Sequence, residues 1–220
     1  LNVILKARQL GFTTEKCIMQ VDSAIFESKR CAMIAHTLPD ARRLFREKVK
    51  YAYDHLPDII KQANPVIIET KEELVFKKGG SVSVSTSFRG GTLQSLHVSE
   101  FGKICVKYPE KAREIITGAF EALGVDGIGT LESTAEGRQG RFFDISQEAE
   151  KLALSGKELT KQDFKFFFYS WHQMPEYRMP VQPLPERLIN YFYKLEHTHV
   201  IKLTDEQKSW YYGKEKTLGA

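Results

Sequence analysis

The 220-residue chain contains no apolar run that approaches the roughly 20 residues needed to cross a bilayer. Its N-terminal segment also has no charged-then-apolar signal pattern, so we predict a cytoplasmic protein without membrane association. Cysteine is scarce, and the three residues have no C-x-x-C spacing, which argues against a disulfide framework or a zinc site. We expect Cys17, Cys31 and Cys105 to be buried thiols.

The composition fits a globular chain with an ordinary core. Hydrophobic residues make up 42% of the sequence, which is ample for one large domain or for a domain with an appendage. The formal net charge of +4 is compatible with a polyanionic partner and also with many ordinary enzymes. Leu1 lies just before the first predicted strand without an initiator methionine, so we expect a fragment.

Apolar runs alternate with helical patterns along most of the chain. Residues 3–6, residues 31–36 and the segment LQSLHVSE predict buried strands, and helical segments separate them. This alternation is typical of a doubly wound α/β domain. We predict a mainly parallel sheet with helices on both faces over residues 1–174. A hairpin with its turn at Gly79–Gly80 is predicted to have one solvent-exposed (wet) face.

The character of the sequence changes near Pro175, where prolines cluster. The remaining segment, residues 175–220, is predicted to be a small helical appendage that serves as a lid or linker. Its TDEQ segment, which starts at Thr204, has the capping-box pattern and predicts a helix from Asp205.

The segment LPDARRLFREKVKYAYDHL predicts an amphipathic helix. Pro39 suits the first turn, and apolar residues recur at spacings of three to five, which indicates one buried face. The opposite face carries five cations: Arg42, Arg43, Arg46, Lys48 and Lys50. These side chains could contact DNA phosphates, but a solvated basic face is the simpler interpretation.

The segment KARQLGFTT joins the first predicted strand to a helix and is similar to a phosphate-binding (Walker A) loop. Such a loop presents backbone N–H groups to phosphates, a lysine to their charge and a hydroxyl to Mg²⁺. Against the pattern G-x-x-x-x-G-K-[ST], Gly11 and Thr13 match and Phe12 replaces the lysine. Lys6 stands at the first glycine and could supply the missing charge, because the first residue of the loop also lies close to the phosphates. An ordinary strand-to-helix turn is the alternative.

The segment LHVSEFGKI predicts an apolar strand that ends on an acid. ATPases of the P-loop class end a core strand in this way (Walker B), beside the strand that carries the phosphate loop. Glu100 suits the carboxylate that polarises the attacking water, whereas Ser99 stands where an aspartate is usual. A glutamate that merely caps the next helix is the alternative.

The segment LESTAEG ends another apolar strand on two hydroxyl residues, Ser133 and Thr134, with Gly137 close behind. Hydroxyls at such a strand end can sense a γ-phosphate, and a nearby glycine lets the chain move in response. The alternative is that Ser133 or Thr134 forms a helix N-cap. All three motifs lie at carboxyl ends of strands, which is the edge where open α/β sheets bind their ligands.

The segments KARQLGFTT, FRGGTLQSLHVSEFGKI and ESTAEGRQGRFFDISQEA together resemble the ATPase domain of the large terminase subunit of tailed bacteriophages and prophages, the motor that packages DNA into procapsids. The resemblance extends over about residues 3–171. It implies a P-loop NTPase fold that binds ATP and Mg²⁺. It also implies a set of nucleotide-binding residues: Lys6, Arg8, Gln9, Gly11, Phe12, Thr13, Thr14, Ser133 and Thr134.

The resemblance further implies roles for individual residues. Glu100 would be the catalytic carboxylate and Lys6 the functional lysine of the loop. Arg89, in the FRGG segment, would contact phosphate or a neighbouring subunit, unless it is a simple turn arginine. The metal would lie near Thr13, Ser99 and Glu100, although Ser99 offers no carboxylate for it.

The resemblance also implies partners: double-stranded DNA, the small terminase subunit, the portal and procapsid, and further copies in a homo-oligomeric ring in the host cytoplasm. Strands that precede the loop in the family are missing, so we expect low activity from the isolated chain. No carboxylate cluster follows Pro175, and we therefore predict that the chain does not cut DNA. Two alternatives stay open: a helicase-like P-loop ATPase, and a degenerate docking module that binds DNA or protein without hydrolysing ATP.

Overall fold

A computed structural model of the chain describes residues 1–88 and 90–218. The described residues form eight strands. They are β1 (Asn2–Lys6), β2 (Arg30–Ile34), β3 (Val66–Glu69), β4 (Glu73–Phe76), β5 (Ser81–Ser85), β6 (Leu93–Val98), β7 (Leu123–Ser133) and β8 (Lys165–Tyr169).

Helices follow most of the parallel strands. They are α1 (Phe12–Phe26), α2 (Leu38–Leu44), α3 (Tyr51–Asp54), α4 (Asp58–Ala63), α5 (Phe101–Lys107), α6 (Pro109–Glu114), α7 (Arg141–Leu154), α8 (Glu186–His199) and α9 (Asp205–Leu218). Helices α2 and α3 are joined by a π-helical stretch, Phe45–Lys50, so the single helix predicted there is continuous but irregular.

The strands form one sheet in the order β3-β4-β5-β2-β6-β7-β1-β8. Strands β5, β2, β6, β7 and β1 pair in parallel, whereas β3, β4 and β5 pair in antiparallel fashion. The predicted mainly parallel α/β sheet is confirmed, as is the β4–β5 hairpin. The wet face predicted for that hairpin is only half-exposed at Ser83 and Ser85, because β5 is not an edge strand.

Each face of the sheet packs on its own hydrophobic cluster. On β2, Ala32 and Ile34 belong to the cluster that includes residues of α5, α6 and α7. Cys31 and Met33, which alternate with them, belong to the cluster that includes α1 and the π-helical stretch. Side chains of a strand alternate between faces, so a strand covered on both sides reads as a continuous apolar run. Helices therefore flank the sheet on both faces, as predicted.

One expectation about strand order is wrong. The acid-ended strand β6 does not pair with the loop strand β1, because β7 lies between them and pairs in parallel with both. The long strand β7, which the sequence marks only by its apolar run, is thus the centre of the site edge.

The described chain divides into two compact units, of which the first ends at Phe168 and the second begins at Tyr169. This division precedes the boundary predicted near Pro175. Within the second unit, α8 and α9 enclose a small core of Leu188, Phe192 and Leu203. Thr204 Oγ1 accepts a hydrogen bond from the Gln207 amide, as the capping-box pattern predicts. The role of this unit as a lid or linker stays a prediction.

The cysteine prediction is confirmed, because all three thiols are free and buried. Burial raises the pKa of Cys17 and Cys31 to about 12, so both thiols are protonated at neutral pH. Of the helices within residues 1–88 and 90–218, none has the length and apolar character needed to span a membrane.

Candidate active site

Three strand ends bring the sequence motifs to one edge of the sheet. In the parallel register of β1 and β7, Ile4 lies opposite Glu132 and Leu5 opposite Ser133. Val98, the last residue of β6, lies opposite Leu131. Lys6, Ser99 and the end of β7 are therefore neighbours, although Ser99 and Ser133 follow Lys6 in the chain by 93 and 127 residues.

The loop after β1 turns sharply into α1. Gly11 immediately precedes the helix with φ +81°, a left-handed conformation that glycine adopts without strain. Phe12, Thr13 and Thr14 form the first turn of α1 and are half-buried. A helix of 15 residues thus begins at the loop, and its free backbone N–H groups and dipole favour an anion there.

The outer part of the same loop is exposed. Arg8 and Gln9 both lie there, and Gln9 has a positive φ of 58°. Their predicted contacts with nucleotide stay predictions. Arg89 lies outside the described residues, and its predicted role is likewise untested.

Lys6 is the buried cation of the site, with only 8% of its surface exposed. Its Nζ lies 3.8 Å from Glu100 Oε1 and 3.9 Å from Glu132 Oε2. The structure thus brings together the Lys6 amine and the Glu100 carboxylate, as the motifs predicted. A lysine held between two carboxylates at a sheet edge is placed to exchange one of them for a phosphate oxygen.

Glu132 is the residue that the sequence analysis missed. It is completely buried on β7, and its Oε1 accepts hydrogen bonds from Thr13 Oγ1 at 2.5 Å and from Ser99 Oγ at 3.1 Å. His97 Nε2 lies 3.5 Å from the same oxygen, which is longer than an ordinary hydrogen bond. Glu132 Oε2 accepts no hydrogen bond from residues 1–88 and 90–218, so within them the carboxylate has an unused oxygen beside Lys6.

The surroundings of Glu132 keep it ionised. Burial by itself would raise the pKa of this carboxyl, because it removes the charge from water. The opposing effects of His97, Lys6 and the Thr13 hydroxyl are larger together, and they lower the pKa to about 2. The site therefore contains a permanent buried anion at neutral pH.

Glu100 has a backbone conformation that is rare for a residue with a side chain. Its φ is 55° at the start of α5, and its side chain makes no capping hydrogen bond to that helix. The helix-capping alternative is therefore not what the structure contains. Its Oε2 instead lies 3.0 Å from Lys103 Nζ, so two lysines contact this carboxylate. Strained backbone of this kind concentrates at functional sites.

The hydroxyl residues Ser133 and Thr134 lie at the end of β7 and directly after it. Ser133 is buried and its Oγ makes no hydrogen bond, whereas Thr134 Oγ1 donates to Glu136 Oε1 at 3.3 Å. Neither residue caps α7, because Gly140 occupies that position, so the N-cap alternative is wrong. A Cβ added at Gly102 would lie 2.7 Å from Ser133 Oγ, which shows that β7 and the turn carrying Glu100 are in direct contact.

A cleft of about 420 Å³ opens next to these side chains. Thr13, Ser99 and Glu100 line one side of it. Further lining residues follow β2, namely His36, Asp40, Arg43, Glu47 and Lys48, and Lys103 of α5 also lines the cleft. The cleft therefore presents side chains of both charges to a ligand.

The edge offers ligands of the type that Mg²⁺ takes. Among residues 1–88 and 90–218, no group of three or more histidine, cysteine, aspartate or glutamate side chains is arranged around a metal position. Magnesium bound with a nucleotide needs only one or two carboxylates, since phosphate oxygens and water complete its six ligands. The hydroxyls of Thr13 and Ser99 and the unused oxygen of Glu132 fit that requirement.

The fold is that of phage large-terminase ATPase domains. The ATPase domain of the large terminase of Thermus phage P74-26 is 20% identical with a TM-score of 0.51, and a mutant form is 17% identical with a TM-score of 0.54. Each alignment covers 76% of this chain and 74% of the phage domain. The large terminase of bacteriophage HK97 is 13% identical with a TM-score of 0.56, over 79% of this chain and 36% of that one.

The likeness lies in three dimensions and not in overall sequence. No protein-family model and no curated protein sequence matches the chain. The resemblance that the short motifs suggested is thus confirmed at the level of the fold.

Proposed function

We propose that the chain is the ATPase motor domain of a viral DNA-packaging terminase, which couples ATP hydrolysis to translocation of double-stranded DNA into a procapsid. One observation carries this proposal: Lys6 contacts Glu100 and lies beside Thr13 and Glu132, at the carboxyl edge of a sheet with the terminase ATPase fold. The motifs that converge there supply a cation, a hydroxyl and a carboxylate, which are the groups that ATP hydrolysis needs.

Binding of ATP would use the loop between β1 and α1. The start of α1 faces the phosphates with its free N–H groups, and Lys6 Nζ exchanges its long contacts of 3.8 and 3.9 Å for phosphate oxygens. Phe12 carries no charge, so Lys6 is the lysine that neutralises the β- and γ-phosphates. Arg8 and Gln9, in the exposed part of the loop, add contacts from outside.

Hydrolysis would depend on Glu100. Its carboxylate orients a water molecule in line with the γ-phosphate and accepts its proton. Lys103, 3.0 Å away, holds the carboxylate while Lys6 turns to the nucleotide. Mg²⁺, when bound, would supply positive charge to the phosphates, and the Thr13 hydroxyl would be one of the groups that hold it.

Coupling to movement would involve the contact between Ser133 and Gly102. Gly102 follows Glu100 by two residues, so a shift of this turn after loss of the γ-phosphate reaches β7 directly. Gly137, with φ +96°, gives the segment after Thr134 a conformation that other residues rarely adopt. The partners we propose are double-stranded DNA, the small terminase subunit, the portal and procapsid, and other copies of this chain in a ring.

The test is ATP hydrolysis during packaging, measured with the whole terminase, procapsids and DNA. We expect Glu100→Gln to lower the rate by at least about 100-fold, because positioned acid–base groups contribute about 10²- to 10⁴-fold. Glu110→Gln is the matched control, since that side chain is 79% exposed and pairs with the exposed Arg113. Normal hydrolysis by Glu100→Gln would contradict the proposal, and duplex unwinding without procapsids would favour the helicase-like alternative.

A further inference from the structure

Position 99 of the proposed ATPase site carries a serine and therefore no carboxylate for a metal ion. P-loop ATPases hold Mg²⁺ with a hydroxyl from the loop and an aspartate from the acid-ended strand. Ser99 stands at the position of that aspartate and has no charge. The described edge nevertheless contains a second carboxylate, because β7 brings Glu132 between the loop strand and the acid-ended strand.

Glu132 makes the contact with the loop that such a carboxylate must make. Thr13 Oγ1 donates a hydrogen bond to Glu132 Oε1 at 2.5 Å, which leaves the lone pairs of the hydroxyl oxygen for a cation. Ser99 Oγ donates to the same oxygen at 3.1 Å. The serine thus does not replace the missing charge but binds to the side chain that carries it.

The second oxygen of Glu132 remains available to a ligand. Glu132 Oε2 is buried, accepts no hydrogen bond from the described residues and has Lys6 Nζ at 3.9 Å. In the proposed reaction Lys6 turns to the triphosphate, and Glu132 Oε2 then loses the ammonium group beside it. Removing one partner of a buried ion pair is unfavourable, and a divalent cation delivered with the nucleotide would replace the lost positive charge.

We propose that Glu132 supplies the carboxylate for the divalent cation of the Mg·ATP complex, in place of the aspartate that position 99 lacks. The proposal rests on the proposed function, since it requires that the edge binds ATP. It assigns Ser99 a secondary role, which is to hold Glu132 by a hydrogen bond. The competing explanation is that Glu132 is only a structural anion that positions Lys6 and Thr13.

Nucleotide titration with and without metal separates these two explanations. The probe is a fluorescent non-hydrolysable ATP analogue, titrated into the protein in excess Mg²⁺ or in excess EDTA. We expect the wild type to bind at least about 10-fold more tightly with Mg²⁺, and Glu132→Gln to lose this preference while its affinity in EDTA changes by less than about threefold. The control Glu110→Gln retains the preference.

Three results would overturn the proposal, and they are distinguishable. A Glu132→Gln protein that keeps both the Mg²⁺ preference and the wild-type affinity contradicts the metal role alone. A Glu132→Gln protein that keeps the preference but binds more weakly, by the same factor in Mg²⁺ and in EDTA, indicates the structural anion. A wild type that binds no analogue in either buffer contradicts the proposed function itself.

A second measurement needs no variant and covers the case in which Glu132→Gln does not fold. Crystals of the wild type grown with the ATP analogue and Mn²⁺ locate the cation by its anomalous scattering. We expect Mn²⁺ at about 2.2 Å from a Glu132 oxygen, or at about 4 Å through one bound water. A Mn²⁺ ion on the nucleotide that is separated from Glu132 by more than one water contradicts the proposal.

Discussion

Two groups of charged residues in the first unit differ in one physical respect, which is burial. At the sheet edge, Lys6 and Glu132 are both almost completely buried and contact each other. On the helical segment that runs from α2 to α3, Arg42, Arg43 and Arg46 are exposed and paired with acids, and Lys50 is paired and half-buried. These pairs are Arg42–Glu72, Arg43–Asp40, Arg46–Glu47 and Lys50–Asp54.

The comparison teaches that the number of charges is a poor guide to function. The basic helix has more cations than the sheet edge, yet its acidic partners and water neutralise them, so each contributes little. At the sheet edge Lys6 and Glu132 are buried, so water screens their charges much less. The pairing with acids supports the solvated-face interpretation of the basic helix over a DNA-binding one.

The largest expected effect on stability comes from Lys6→Ala. Removal of the amine leaves Glu132 and Glu100 without their shared cation, and breaking a buried pair in this way costs about 3 to 5 kcal/mol. Denaturant unfolding of the purified chain measures the change. Lys107→Ala, at an exposed position on α5, is the control and should be near neutral; equal effects of the two would remove the distinction between buried and exposed charge.

The second effect is a pH dependence due to Glu132. Its pKa in the folded chain, about 2, is below its ordinary value of 4.5, so the stabilisation is present above pH 4.5 and is lost as the pH falls towards 2. The full difference is on the order of 3 kcal/mol. We expect the free energy of unfolding of the wild type to fall more steeply than that of Glu132→Gln between about pH 6 and pH 3. Parallel curves would show that Glu132 is not the anion described.

A third prediction tests the contact between β7 and the turn of Glu100. Gly102→Ala places a Cβ 2.7 Å from Ser133 Oγ and 3.2 Å from the Thr134 carbonyl oxygen, and such overpacking costs about 1 to 3 kcal/mol. Gly118→Ala is the matched control, because nothing lies within 4 Å of the added carbon. Thermal unfolding should show a loss for the first variant and none for the second. A neutral Gly102→Ala would mean that the two segments are not tightly packed.

The smallest effect is expected on the basic helix. Arg46 has a side chain that is 72% exposed and pairs with the adjacent Glu47, so Arg46→Ala should change Tm by no more than about 2 °C. Its effect on DNA-stimulated ATP hydrolysis should be equally slight. A marked loss of stimulation would restore the DNA-binding interpretation of this helix.

Much of the fold could be predicted because its signals are local. The apolar spacing of LPDARRLFREKVKYAYDHL predicted a helix with one buried face, which agrees with the helical segment from α2 to α3. The apolar run CAMIAH predicted a strand covered on both faces, which agrees with β2. The π-helical stretch between α2 and α3 was not predicted, because one extra residue per turn hardly changes the apolar spacing.

The site was predicted only in part because strand order is not a local property. Lys6, Thr13 and Glu100 were identified from motifs, and the structure brings them together. Glu132 was passed over because its neighbours Ser133 and Thr134 offered a familiar hydroxyl pattern, and because β6 was expected beside β1. The available signal was an acid inside the run GTLEST: a carboxyl is almost never buried unless a partner compensates it.

The central claim is that the carboxyl edge around Lys6 binds the triphosphate of ATP. The most direct measurement is the shift of Tm when Mg²⁺ and a non-hydrolysable ATP analogue are added to the wild type and to Lys6→Met, which keeps the bulk of the side chain. We predict a rise of several degrees for the wild type at ligand well above its Kd, and no rise for the variant. An unchanged wild type, or an equal rise in both proteins, would contradict the account.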